Sequence, residues 1–332
     1  MRFCVVGGRT GVNQTNKLNK EEENAVTEMI EMRGMGWLPD YPDIRDYTID
    51  RDTVSDRLKA LGQRDSVKVM LTEVGVVEAK KAITLPAVVD LRPWCPIMED
   101  QGALGSCTAQ AGVGLVEYFE KRAFGTYIDA SRLFLYKVTR DLLGWTGDTG
   151  AYLRTTMGAM VLFGVPPEKY WPYIIAKFDI EPSCFLYAFA QNYQAITYYR
   201  LDPAGTPRDA LLARIKTYLA HKLPSMFGFT VYSSISQAYT TGEIPYPAPG
   251  ESVLGGHAVV AVGYDDNKKI KNTSPGGVET KGALLIRNSW GTGWGPNGGY
   301  LWLPYDYVLK WQAVDWWSLL KNEWIWTGNF GF

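Results

Sequence analysis

Charged and aromatic residues change places near residue 85. Of the first 85 residues 27 are Asp, Glu, Lys or Arg, against 42 of the remaining 247, and the only aromatics before Leu85 are Phe3, Trp37, Tyr41 and Tyr47. A segment this polar cannot bury enough apolar surface to offset its own ordering entropy. The remainder can, since the whole chain is 46% hydrophobic and 13% aromatic and most of that sits after residue 85. Residues 1–85 are therefore expected to rely on a surface that residues 86–332 supply.

With 34 basic and 35 acidic residues the formal net charge is −1, which argues against a nucleic-acid binder and against an acidic solvating tail. No apolar stretch approaches the roughly 20 residues of a membrane helix, and the run Phe3–Val6 is shorter than a signal-peptide core. We expect no nucleic-acid or membrane partner and a monomer; the compartment is not readable. Cys4, Cys95, Cys107 and Cys184 are too few for a disulfide scaffold and lack C-x-x-C spacing. No metal or other cofactor is called for. The glycine-rich stretch Val5–Gly11 lacks the terminal Gly-Lys-Ser/Thr of a phosphate loop.

Within the first segment, Asn19-Lys-Glu-Glu22 reads as a helix cap before Ala25, Val26, Met29 and Ile30, and Thr53-Val-Ser-Asp56 as a second before Leu58 and Leu61, with Gly62 as stop. Between them, Gly36–Tyr47 carries Trp37, Tyr41 and Tyr47 on a course that Pro39 and Pro42 keep extended. Such a strip suits docking in an apolar groove, and the chain's own cleft is the obvious host. Residues 63–85 read as a linker, with Lys80-Lys81 as a point of proteolytic release.

Beyond residue 85 helical periodicity recurs at Cys107–Phe124, Ser131–Leu143, Tyr152–Phe163 and Arg208–Lys222. From about residue 224 the pattern becomes strands, at Ser225–Tyr232, His257–Tyr264, Ala283–Asn288 and Gly299–Leu303. A helical half followed by a strand-rich half indicates an α+β fold with two lobes, about 98–200 and 201–332.

The chain has two histidines. His221 ends a helix beside Lys222, an ordinary stabilising place for a cation. His257 follows Gly255-Gly256 and opens the apolar run Ala-Val-Val-Ala-Val, so its ring is rigidly held, although a lone histidine of this kind can equally be structural. Cys107 ends the loop Asp100-Gln-Gly-Ala-Leu-Gly-Ser and starts a helix, where partial positive charge favours thiolate. The plain alternative, a small buried hydrophobe, suits Cys4 and Cys184 better. A third block, Leu284–Gly295, delivers Asn288 into a glycine-rich turn carrying Trp290 and Trp294. There a carboxamide can orient an imidazole under an indole lid.

These three blocks, Gln101-Gly…Gly105-Ser-Cys107, Gly256-His257-Ala-Val-Val-Ala-Val-Gly-Tyr264 and Asn288-Ser-Trp-Gly…Trp-Gly295, resemble those of the papain-like cysteine peptidases in order and spacing, over roughly Leu85 to the C-terminus. The resemblance implies a two-lobed papain fold with an active-site cleft between the lobes, and hydrolysis of peptide or protein substrates through a thioester. It implies Cys107 as nucleophile, His257 as base and acid, Asn288 as orienter, and Gln101 with the Cys107 backbone N–H as oxyanion hole. Gly150, in Gly147–Gly150, would edge the substrate groove, Ala258 would line the pocket for the side chain two before the cut, and Trp290 would shield the Asn–His pair. Pro86–Arg92 resembles a mature N-terminus, and residues 1–85 an autoinhibitory leader of the bacterial-type branch. Leu104 and Thr108 stand where the family usually has cysteine and tryptophan, the first removing a characteristic disulfide. A cysteine-dependent acyl transferase and an inactive peptide-binding module are the alternative readings.

Overall fold

The computed structural model describes residues 25–26, 28–30, 33–77, 84–194 and 197–332. The Asn19 cap, the Val5–Gly11 loop, Cys4 and the Lys80-Lys81 pair lie outside these.

Two short helices precede the main body. α1 spans Asp56–Ala60, and its cap is Ser55, whose Oγ accepts the Leu58 N–H at 3.3 Å; Thr53, the residue expected to cap it, stands two positions too early. α2 spans Val67–Glu73 and is capped by Ser66 Oγ on the Val69 N–H at 3.2 Å. The stretch read as a linker thus contains a helix. Val67, Met70, Leu71 and Val74 share one face of it and are buried in the same apolar core as the rest of the molecule.

β1, Val88–Asp90, then leads to a helical lobe built on α3 (Cys107–Phe124), α4 (Arg132–Leu143) and α5 (Leu153–Leu162). The first has the expected bounds, while α4 and α5 begin one residue later than expected because Ser131 and Tyr152 are their N-caps, and α5 also stops one residue earlier, at Leu162. Ser131 caps α4 through its side chain, and Gly144 ends α4 in the left-handed conformation that a residue without Cβ adopts at no cost. α3 is buried along almost its whole length and is the axle between the lobes. α6 (Cys184–Ala190) closes this half, and Cys184 at its start is exposed rather than a buried hydrophobe.

The second lobe adds β2 (Thr197–Arg200), α7 (Arg208–Ala220), β3 (Ser225–Tyr232), β4 (Val253–Lys271), β5 (Glu279–Arg287), β6 (Tyr300–Pro304) and β7 (Ala313–Leu320). The sheet runs β2-β7-β3-β4-β5-β6 with antiparallel neighbours throughout, and β1 pairs with β4 as well. β7 has no polar alternation because seven of its eight residues are buried, so it lacks the period-2 signal of a half-exposed strand. Two registers position the site. Phe229 faces His257 across β3 and β4, and Val260 faces Arg287 across β4 and β5, which brings Asn288 beside the His257 ring. α3 packs on β4, so its first residue arrives next to the same histidine.

Candidate active site

Cys107 is the first residue of α3 and is completely buried. The backbone N–H groups of Ala258, Gly36 and Thr108 turn on its sulfur, with Gly36 N at 3.3 Å from Sγ. His257 Nε2 meets Asn288 Oδ1 at 2.7 Å. His257 Nδ1 is buried without a hydrogen-bond partner among the described residues. Trp290 lies over the imidazole, with ring centroids 4.7 Å apart, and Trp294 stands edge-on to Trp290 at the same separation. The aromatic pair keeps water from the His257–Asn288 bond, and Trp290 itself is buried.

Gln101 is also fully buried and is aimed by its neighbours. Its Oε1 accepts the Ser289 hydroxyl at 2.5 Å and its backbone N–H donates to Ser289 O at 2.9 Å. Nε2 donates to Leu104 O at 2.8 Å and to Gly34 O at 2.9 Å. The loop before Cys107 is anchored by Asp148, which accepts the Gly105 N–H at 3.0 Å and the Tyr136 hydroxyl at 2.5 Å. The structure therefore brings Gln101, Cys107, His257 and Asn288 to one place.

Residues 34–38 of the same chain form a strap across this place. Gly34 N donates to Gly102 O at 3.0 Å, Trp37 N to Gly256 O at 3.1 Å, Ala151 N to Gly36 O at 2.8 Å and Leu38 N to Ala151 O at 3.1 Å. The strap pairs with Ala151 in parallel. Ala151 carries the backbone pairing, and Gly150 supplies clearance beside it, where a Cβ would lie 2.3 Å from Gly36 O. Close approach also explains glycine at 36, since a Cβ there would stand 1.8 Å from Gly105 O.

Trp37 enters a pocket hollowed by Gly228 and Gly256, where added Cβ atoms would meet its ring at 1.9 and 2.8 Å. Its Nε1–H donates to Asp315 Oδ2 at 3.1 Å. Burial pushes the Asp315 carboxyl up to about 7, against the pull of Arg200, Trp317 and Trp37. Ala258, opposite Gly228 in the sheet, is buried beside this pocket. Past the pocket, Asp40 and Asp46 meet Arg154 at 2.6 and 2.7 Å, and Arg200 donates to Asp40 O at 3.0 Å. Asp315 and Ala151 carry no motif of their own, so sequence patterns could not single them out, while Asp148 and Ser289 lie inside Gly147–Gly150 and Asn288–Gly295, stretches in which only their neighbours were given a role.

Local electrostatics depart from the sequence expectation in one respect. The helix start was expected to favour thiolate, yet burial pushes the Cys107 thiol up to about 11, and the backbone N–H groups of Ala258, Gly36, Thr108 and Cys107 itself only partly oppose it. Burial likewise takes His257 down to about 4, against the Asn288 hydrogen bond. Burial is the cause at both groups, and in this arrangement, with Gly36 against the sulfur, thiol and imidazole are both neutral near pH 7.

Residues 85–308 match the model of the papain family cysteine proteases. The chain belongs to that family. A peptidase C1-like protein of Acanthamoeba polyphaga mimivirus is 33% identical over 295 residues, covering 86% of each chain. Cathepsin K of Gallus gallus is 31% identical over 222 residues, 65% of this chain and 58% of that protein. Among solved structures, xylellain, a cysteine protease from Xylella fastidiosa, superposes with a TM-score of 0.64 at 31% identity over 87% of this chain and 96% of its own. A recombinant stem bromelain precursor shares the fold, with a TM-score of 0.56 at 16% identity over 94% of this chain and 88% of its own. The papain-family chain is thus a two-lobed α+β cysteine protease, a hydrolase. Among the described residues Cys95, Cys107 and Cys184 are free thiols.

His221, the other histidine, is held by different partners. It is buried at the end of α7, where Nδ1 meets Thr217 O at 2.7 Å, and its ring packs on Phe332.

Proposed function

We propose that this protein is an endopeptidase made as a self-inhibited zymogen, with residues 33–48 as the inhibitory strap and Cys107, His257, Asn288 and Gln101 as its catalytic set. The observation that carries the reading is the strap's backbone, which occupies the Gln101 amide and the Cys107 sulfur at once.

Once the strap has left and water has returned, His257 Nδ1 takes the Cys107 proton and the thiolate attacks a substrate carbonyl carbon. The oxyanion is held by the Cys107 backbone N–H and Gln101 Nε2–H, the latter freed from Gly34 O. The imidazolium returns its proton to the leaving amine, giving the thioester. A water then gives its proton to His257 and attacks the thioester; collapse of that intermediate expels the thiolate and frees the acid. Asn288 keeps the ring turned so that Nδ1 faces the sulfur. The docked strap escapes this chemistry because it is out of register. The group that bonds Sγ is an N–H, from Gly36, and the carbonyl at Gln101 belongs to Gly34, two residues earlier.

Strap-free enzyme should cut internal bonds of a peptide blocked at both ends, and mass spectrometry of the fragments reads this directly. Water-terminated products support hydrolysis, and products capped by an added amine would favour acyl transfer. Cys107→Ala should leave no turnover. Asn288→Ala should lower kcat by on the order of 10²-fold while leaving measurable hydrolysis, because it orients and does not react. Equal, total loss from both would assign Asn288 a different role.

A further inference from the structure

The leader is not one body. Residues 33–48 are held by backbone pairing, ion pairs and a single buried ring, while Tyr41 and Ile44 on the same strip are fully exposed. Residues 63–76 are bound differently. Met70 and Leu71 are wholly buried and Val67 nearly so, in the same core that holds Phe119, Trp324 and Phe330. Asn322, in the short helix Asn322–Ile325, accepts the Arg64 and Asp65 N–H groups on Oδ1 at 2.9 and 3.1 Å and donates from Nδ2 to Asp65 Oδ2 at 2.5 Å. Gln63, itself buried, accepts the Asn322 backbone N–H at 3.4 Å. This is the packing of a domain's interior, in which apolar burial and satisfied polar groups hold an element permanently.

Between the two parts lies a stretch suited to proteolysis. Asp50, Asp52 and Thr53 are exposed. Among the described residues Asp52, Thr53 and Val54 make no backbone hydrogen bond, whereas Arg51 bonds to Thr48 on one side and to Lys68 on the other. A protease needs an accessible backbone that it can pair with, and Asp52–Val54, with Asp52 and Thr53 exposed and no backbone hydrogen bond made, offers one.

We propose that Asp52–Val54 is the processing site that separates a disposable strap, ending at Thr48, from a retained segment, α1 and α2, that belongs to the mature enzyme. The proposal rests on the self-inhibition reading for the strap's role, but not for the retained segment's. A cut C-terminal to α2 therefore does not release the leader, because α2 and Asn322 still hold it to the domain.

The test uses the full chain, folded before it is cut. One variant carries a site-specific protease sequence between Asp52 and Thr53, a second carries it within residues 78–83. Gel filtration of the cut proteins reads what stays bound, and peptide hydrolysis reads what opens. After the first cut, residues 53–332 should elute as one species without the strap, with Tm within a few degrees of the uncut chain and hydrolysis switched on. After the second cut, the N-terminal fragment should co-elute with the domain and hydrolysis should stay near that of the uncut chain. Forcing that fragment off with mild denaturant should lower Tm by on the order of 10 °C. The proposal is overturned if the second cut alone frees the fragment and leaves a stable, active enzyme. If co-elution is as expected but the first cut removes the strap without raising hydrolysis, the retained segment stands and the self-inhibition reading falls.

Discussion

Replacing Trp37 with alanine is expected to switch the full-length chain on. The indole is 6% exposed, sits against Gly228 and Gly256 and donates to Asp315. Truncating a buried tryptophan costs about 3–5 kcal/mol, and each 1.4 kcal/mol is tenfold in the ratio of docked to open strap. Peptide hydrolysis should therefore rise by about 10²-fold or more, until the open form dominates. Tyr41→Ala is the control, because that side chain is 88% exposed and its loss should change the rate by less than about twofold. Equal effects from the two would mean that the strap is not held by its pocket.

The second large effect is on thiol chemistry. With the strap docked, the Cys107 thiol is pushed up to about 11, so at pH 7 its thiolate fraction is about 10⁻⁴, against about 3% for an ordinary cysteine near 8.5. Alkylation of Cys107 in the full chain should be at least about 300-fold slower than that of a free thiol, rising tenfold per pH unit until about pH 11. The sign follows from the thiolate being the nucleophile, whose fraction grows as pH rises toward the raised value. Cys184, which is exposed, should label first. After strap removal the order should reverse at mildly acidic pH, because hydrated imidazole then takes the Cys107 proton. Peptide mapping after a brief pulse of iodoacetamide at several pH values separates the two profiles.

The contrast between these profiles also marks where sequence reasoning ends. Cys107, His257, Asn288 and Gln101 stand out in the sequence because three blocks recur in family order and spacing, and the structure brings the four side chains to one place. The helices Cys107–Phe124 and Arg132–Leu143 were legible from their periodicity and stop signals. The thiol's state was not, since it follows from complete burial by residues distant in the chain, among them Gly36, 71 residues away. β7 escaped notice because it is buried on both sides, and with it Asp315, whose partners Trp37 and Arg200 lie far off in the chain. In α2 the stripe Val67, Met70, Leu71, Val74 was present, yet the surrounding charge made seven residues look like connection rather than core. Only the surface of the other domain gives that stripe something to cover.

The central claim, a cysteine peptidase closed by its own strap, is tested most directly by the initial rate of cleavage of an internally quenched peptide. The rate is measured on the full chain, on the same protein cut between Asp52 and Thr53, and on the cut Cys107→Ala protein. The account requires a rate near background for the first, a rise of about 10²-fold for the second and none for the third. An uncut chain as fast as the cut one, or hydrolysis that survives Cys107→Ala, would contradict it.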